Sequence, residues 1–392
     1  MSTDVYLTGG IRTAIGSFNG ALAGVSATAL GSAVIRAALD RSNVPAEQVD
    51  EVIMGNVLSA GLGQNPARQA TIGAGLSPKV GATTISKVCG SGLKAVMLAV
   101  QAIRCGDASV VVAGGMESMS RAPYLLEKAR GGYRLGHGEL VDSVLRDGLT
   151  DAYGGTHMGV CGDRCAEMYA FTRQQQDDFA AASYQRALAA VASGTFALEI
   201  VPVSAPAGKS TCMVAEDEQP KRFDEKKLRE LRPAFSPGGT VTAGNASSIN
   251  DGAASIVVMS AEKVRVLGVN PSAKVLGYAT ASREPEWFTL APITALTQLM
   301  NRLSLTVDDV DLFEINEAFS VVVMAAMRDL AIPHEKVNVN GGAVAMGHPI
   351  GASGARTLVT LLNAMRHRDV RIGIATLCIG GGEAVAMAVE RC

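Results

Sequence analysis

Aromatic residues make up only 4% of this 392-residue chain, and tryptophan occurs once. Charge of either sign is sparse as well: the balance is −2 at pH 7 and no long basic run is present, which excludes a nucleic-acid partner. Long apolar runs are missing. VVVMAAM at 321–327 falls far short of a bilayer span, so no membrane partner is expected. MSTDVYLTGG carries Asp4 and no basic-then-apolar leader, and the closing ERC is no peroxisomal address, so no secretion or organelle signal is read here. The chain contains no CxxC, and its seven cysteines are odd in number and irregularly spaced, which argues for reduced thiols and a cytosolic setting.

What is abundant points the other way. Glycine occurs 43 times and 48% of residues are hydrophobic, the profile of a tight α/β protein whose backbone approaches ligands closely. Two stretches are alike. LDRSNVPAEQVDEVIMGNV (39–57) is echoed by MNRLSLTVDDVDLFEINEA (300–318), each a helix end, an acidic turn and an apolar run reaching an Asn. The spacing then stays in step: Cys89 lies 33 residues after Asn56, and His348 lies 32 after Asn316. Each stands in a glycine loop before a helix, and each helix leads to a strand running into glycines, ASVVVAGGMES and RIGIATLCIGGGEA. A duplicated α/β unit offset by about 260 residues explains all four features.

Between the halves, roughly 119–247 reads as a polar, loop-rich insertion placed to cover something. Its best helix is TRQQQDDFAAASYQRALAAVASG, with Thr172 as N-cap and Gly194 as its stop. INDGAASIVVMSAEKVRVLG (249–268) reads as a strand and helix that close the first half.

Cys89 in SKVCGSGLKAV admits three readings: a packed thiol, part of a dinucleotide loop with Asp107 downstream, or a nucleophile. A helix start would stabilise its thiolate and lower its pKa, with Gly90 and Gly92 clearing the approach to the sulfur. His348 holds the matching position in the second half and is followed by Pro349, which suits a first helical position. If the halves pack about a pseudo-twofold axis, the two helix starts face each other, placing a base or oxyanion donor near a thiol. Cys378 ends an apolar strand in LCIGGGEA, whose glycines suit a backbone N–H cradle. CGDRC (Cys161, Cys165) has no second ligand pair, which argues against zinc.

CGSG (89–92), NEAF (316–319), NVNGGAVAMGHPIGASG (338–354) and CIGGG (378–382), with HMG (157–159) and TVTAGNAS (240–247), resemble the thiolase family along the full chain. The likeness is greatest to its short-chain acetyl-CoA acetyltransferases. It implies two duplicated mixed-sheet halves in a five-layered αβαβα core, with an inserted loop domain. The expected divisions are 1–118 plus 248–270, the insertion 119–247, and 271–392. The activity implied is reversible Claisen condensation of two acetyl-CoA to acetoacetyl-CoA and CoA through an acetyl-Cys89 thioester, with ping-pong kinetics. A degradative 3-ketoacyl-CoA thiolase of broader chain length is the alternative.

The resemblance also implies roles. Cys89 carries the acyl group, and His348 takes its proton and then helps hold the enolate oxygen. Cys378 moves the α-proton. Asn316 positions a water in the enolate oxyanion hole, and the N–H groups of Cys89 and Gly380 hold the thioester carbonyl. The insertion binds CoA: Lys221 and Arg222 offer charge to its phosphates, although a solvated charged face is an equal reading. His157, Met158, Phe235, Ala243, Ser247, Ala318 and Phe319 match positions along the pantetheine tunnel. GGYRLGHGEL corresponds to the loop that pairs dimers into homotetramers. EPEWFTLAPI (284–293) departs from many bacterial relatives toward a mitochondrial-like branch, so Trp287 and Phe288 are expected to reshape the acyl or pantetheine pocket. No cofactor is required. That branch binds potassium at positions matched here by Tyr184, Ala243, Ala246 and Val344, with Gly244 departing from the pattern.

Overall fold

A computed structural model describes residues 4–392. Strand β1 (Val5–Thr13), helix α1 (Ala27–Ser42), β2 (Glu51–Gly55), α2 (Pro66–Gly73), β3 (Gly81–Ile85), α3 (Ser91–Cys105) and β4 (Val110–Ser118) come first. The chain then leaves this framework for an excursion containing α4 (Met158–Met168) and α5 (Arg173–Ala192). It rejoins at β5 (Asn250–Ser260) and α6 (Ala261–Leu267). The second half is β6 (Ala273–Ser282), α7 (Ala291–Leu303), β7 (Leu312–Ile315), α8 (Ser320–Leu330), α9 (Ile350–Arg368), β8 (Ile372–Ile379) and β9 (Glu383–Arg391). Helix α5 starts as its sequence predicts. Thr172 and Gln175 form a reciprocal capping box, and Gly194 follows the end at φ +75°.

The long strands run in the order β3-β2-β4-β5-β1-β6-β9-β8-β7. Read outward from the middle, the two halves match. Strands β2, β3 and β4 are parallel, and β5 and β1 are antiparallel. On the other side β7 and β8 are parallel, β9 and β6 are antiparallel, and the β3 counterpart shrinks to a parallel bridge between Phe313 and Val337. The halves join where β1 meets β6 at Tyr6–Lys274 and Leu7–Ala273. The duplication is also visible in single atoms. Asp50 Oδ2 accepts from Ser109 and Val110 N–H, and Asp311 Oδ2 accepts from Arg371 and Ile372 N–H.

This register corrects the sequence match by one residue. Glu51 faces Val111 and Leu312 faces Gly373, so Asn316 occupies the place of Gly55, and Glu317 that of Asn56. Sequence similarity had slipped because both runs end in an Asn.

Helices α3 and α9 fill the space between the two sheet halves, while α1 and α2 cover one outer face and α7 and α8 the other. That makes five layers. Every residue of α9 from Ile350 to Met365 is buried. Segment 88–105 has the length and apolar composition of a membrane span, contrary to the sequence expectation, but it is an interior helix packed between the two halves of the sheet. Helices α3 and α9 cross almost backbone to backbone. A Cβ on Gly92 would lie 2.6 Å from Ala355 N, and one on Gly354 would lie 2.4 Å from Leu93 N.

Gly354→Ala therefore forces the helices apart. It should cost about 1–3 kcal/mol and lower the melting temperature. Gly131→Ala, in an open loop with nothing within 4 Å of the added carbon, should leave it unchanged; thermal unfolding of both variants checks this.

Candidate active site

The helix crossing places two chain turns at one end of the interior layer. Cys89 sits in a turn closed by Gly90 N to Lys87 O (3.0 Å) and Ser91 N to Val88 O (3.1 Å). Val88 has φ +44°, a strained conformation for a β-branched residue, held by Ser91 Oγ donating to Val88 O at 2.6 Å. Helix α3 begins only at Ser91. The nearby glycines serve packing rather than access to the sulfur: a Cβ on Gly90 would meet Ile379 Cδ1 at 2.3 Å, and Gly92 faces α9.

The pKa of Cys89 runs opposite to the sequence expectation. Burial pushes the thiol up to about 11, with backbone N–H bonds from Gly380 and from Cys89 itself opposing that rise, and the Glu117 charge adding to it. Glu117 is fully buried. It accepts from Asn56 Nδ2 (2.8 Å), Val57 N (3.0 Å), Leu58 N (3.2 Å) and Gly351 N (2.9 Å), tying α9's first turn to β4. Burial pushes its own carboxyl up to about 7.

His348 is held by its backbone and by its ring. Its N–H donates to Asn250 Oδ1 (2.9 Å), and Gly347, at φ +111°, leaves no room for a Cβ against Asn250. Its Nδ1 lies 2.5 Å from Ser353 Oγ, one turn into α9. Ser353 Oγ also donates to Pro349 O at 2.9 Å, which uses its one hydrogen. Nδ1 therefore carries the imidazole proton, and Nε2, buried with no partner, holds a free lone pair. Burial, then Arg356, depresses the ring's pKa to about 3, so it is neutral in the resting protein.

Arg356 organises a second buried set. It pairs with Glu314 at 2.8 Å and donates through Nη2 to Asn316 Oδ1 at 3.2 Å. The Asn316 amide is thereby oriented, and its Nδ2, with no protein partner, is free to hold a water. Cys378 ends β8 and is 1% exposed; burial raises its thiol well above the usual range and the nearby Cys89 adds to the rise. Behind it, Cys161 and Cys165 of α4 are buried in the same apolar cluster.

Cys89, His348 and Gly380 line one cavity of 410 Å³. Its neck is apolar. His157 stacks on Phe235 (4.7 Å), and Phe319 meets Phe235 and Phe288 edge-on at 6.0 and 6.3 Å. Met158, Ala243, Ser247 and Ala318 also line it, as does Arg222 at its mouth. Lys221 does not; its ammonium pairs with Glu216 in solvent. Trp287 packs beside Phe288 without reaching the cavity. Cys378 and Asn316 are buried, and Cys378 is close enough to Cys89 for their charges to interact.

The four positions matched to a potassium site divide. Ala243 and Ala246 line the cavity, and Tyr184 stacks on Phe223 and accepts from Gln219 (3.3 Å). Val344 donates its N–H to Glu317. Tyr184 Oη is the one side-chain oxygen in that set.

Ser353, Arg356, Asn250 and Glu117 escaped the sequence reading. One signal was present: an arginine in the apolar run IGASGARTLVTLL is out of place unless it is paired.

With the Cys89 thiol at about 11, roughly one sulfur in ten thousand is thiolate at pH 7. Folded-state alkylation of Cys89 by iodoacetamide should keep accelerating as pH rises past 9. A plateau near pH 7 would contradict this environment.

A thiolase N-terminal domain model matches residues 5–262, and a thiolase C-terminal domain model matches 269–391. The acetyl-CoA acetyltransferase of Escherichia coli (strain K12) is 53% identical over 97% of both chains. That of Schizosaccharomyces pombe is 49% identical over the whole of both. The crystal structure of the Bacillus anthracis acetyl-CoA acetyltransferase superposes with a TM-score of 0.98 at 40% identity, covering 100% of this chain and 99% of that one. The Acat5 thiolase of Ascaris suum, solved in complex with coenzyme A, gives 0.94 at 44% identity, covering 99% and 100%. With its duplicated halves, its cysteine and histidine turns and these full-length likenesses, the chain belongs to the thiolase family.

Proposed function

We propose that the protein is an acetyl-CoA C-acetyltransferase, condensing two acetyl-CoA to acetoacetyl-CoA and free CoA and catalysing the reverse thiolysis. One observation carries the chemistry: His348, whose buried Nε2 has no hydrogen-bond partner, lines the same cavity as Cys89.

In the first half-reaction Cys89 Sγ attacks the acetyl thioester carbon, and its proton passes to His348 Nε2. The N–H groups of Gly380 and Cys89, which bond the resting sulfur, take up the negative oxygen. The carbon–sulfur bond to CoA breaks, and the leaving thiolate takes the proton of Cys378. Acetyl-Cys89 now stands beside a Cys378 thiolate and a His348 imidazolium. Each ion alone is disfavoured by burial, and they form together as a pair.

In the second half-reaction the Cys378 thiolate removes the α-proton of a second acetyl-CoA. The developing enolate oxygen accepts from His348 Nε2–H and from a water held by Asn316 Nδ2. Each such donor contributes about 2.7–4 kcal/mol, which a carbon acid this weak needs. The enolate carbon attacks acetyl-Cys89, and the departing Cys89 sulfur recovers its proton from His348. All three groups return to their starting states.

The narrow, phenyl-lined neck suits pantetheine, a slender chain, and Arg222 stands at the mouth for the nucleotide's phosphates. Phe288, 2% exposed, lines the same cavity beside Phe319, and its bulk there favours a four-carbon backbone. The segment around Leu135, which is 99% exposed, with Leu140 and Tyr124, suits the pairing of dimers into tetramers.

Thiolysis of acetoacetyl-CoA and 2-methylacetoacetyl-CoA should greatly exceed that of 3-ketooctanoyl-CoA in initial-rate assays; equal rates would move the protein to a broad-range thiolase. Cys378→Gly should still accept acetyl from acetyl-CoA on Cys89, seen as an adduct by mass spectrometry, while condensation falls about 10²–10⁴-fold. Survival of both acylation and condensation would remove Cys378 from proton transfer.

A further inference from the structure

Two segments far apart in sequence form the outer wall of the cavity: Ser17 and Phe18 on one side of the seam, Gln219 and Arg222 on the other. Neither belongs to a long element, so side chains must hold them together. Arg12, fully buried, donates to Asp217 at 2.7 and 2.9 Å and to Glu199 at 2.6 Å. Asp217 Oδ1 accepts from Ile15 N at 2.8 Å. The next residue completes the seam. Glu218 N donates to Ile15 O (3.2 Å), and its Oε2 accepts from Ser17 N (2.7 Å) and Ala21 N (3.0 Å).

The other Glu218 oxygen faces elsewhere. Oε1 lies 3.7 Å from Arg222 Nη2, and this is the one ion pair Arg222 makes among the described residues. The arginine is 58% exposed, so the contact is a solvent-screened restraint. The two oxygens of one carboxylate therefore do different things. One fixes the wall against which a bound chain would lie, and the other occupies the guanidinium best placed for an incoming phosphate.

We propose that Glu218 is a positioning residue with two opposed effects on CoA binding: Oε2 builds the cavity wall, and Oε1 restrains Arg222 from the nucleotide phosphates. This rests on the reading of the cavity as the CoA site. A phosphate that draws Arg222 away must first break the pair, so Glu218 weakens binding through its charge while supporting it through its hydrogen bonds.

Separating the two effects needs two substitutions and two acyl acceptors. Thiolysis of acetoacetyl-CoA is followed with CoA and with pantetheine, which lacks the nucleotide phosphates. Glu218→Gln keeps an oxygen for Ser17 and Ala21 N–H but removes the charge. Its KM for CoA should fall about two- to fivefold, and by more than its KM for pantetheine. Glu218→Ala removes both functions, and KM should rise for both acceptors by about tenfold. Arg222→Gln added to Glu218→Gln should erase the gain. An unchanged or raised KM for CoA in Glu218→Gln overturns the proposal, as does an equal fall with pantetheine. Should Glu218→Ala not fold, the Glu218→Gln comparison decides alone. Failure of the CoA reading would be visible separately, as absence of thiolysis in the unaltered enzyme.

Discussion

The crossing of α3 and α9 is the constraint on which the rest depends. Their backbones meet through Gly92 and Gly354, closer than any side chain allows, so the turns that precede them are brought to one place. Cys89 precedes one helix and His348 the other. The distance between a sulfur and an imidazole is set by helix packing, which is stiff, and not by loops, which are soft. Glu117 reinforces the arrangement by bonding the first turn of α9 to the loop after β2.

Burial then sets the electrostatics. Every titrating group at the site is pushed toward its neutral form: Cys89 and Cys378 upward, His348 downward. Cys89, Cys378 and His348 are therefore neutral at rest. In the proposed mechanism charges arise only when substrate supplies a place for the compensating one, and the fixed donors at Gly380 and Asn316 need no reorganisation when that happens. Arg356 is a buried guanidinium, and Glu314 pairs with it at 2.8 Å. Its use is orientation: it holds the Asn316 oxygen so that the amide N–H group is left free.

Much of this was legible in the sequence. The duplicated halves, the capped helix at Thr172, and Cys89 and His348 as matching turn residues all follow from local patterns, since glycine loops, caps and apolar runs are written in neighbouring residues. The slip at Asn56 and Asn316 shows the boundary of that method. Strand register is decided by pairing with another strand, and Asp50 and Asp311, not the asparagines, turned out to be the equivalent anchors. The lowered Cys89 pKa failed for the same reason. A helix start is a local feature, whereas desolvation comes from every element packed around the sulfur. Lys221 and Arg222 are adjacent in sequence and equal in charge, yet only Arg222 reaches the cavity.

By itself, then, the sequence determined the kind of fold, its internal repeat and the cysteine and histidine turns that become the candidate site, because each is carried by short-range spacing and residue chemistry. Tertiary structure alone decided which atoms are protonated at rest, which glycines serve packing rather than access, and which buried polar groups remain free. Those properties depend on what surrounds an atom in space: Ser353 sets the tautomer of His348, and Arg356 leaves Asn316 Nδ2 open, through contacts that only the packed helices create.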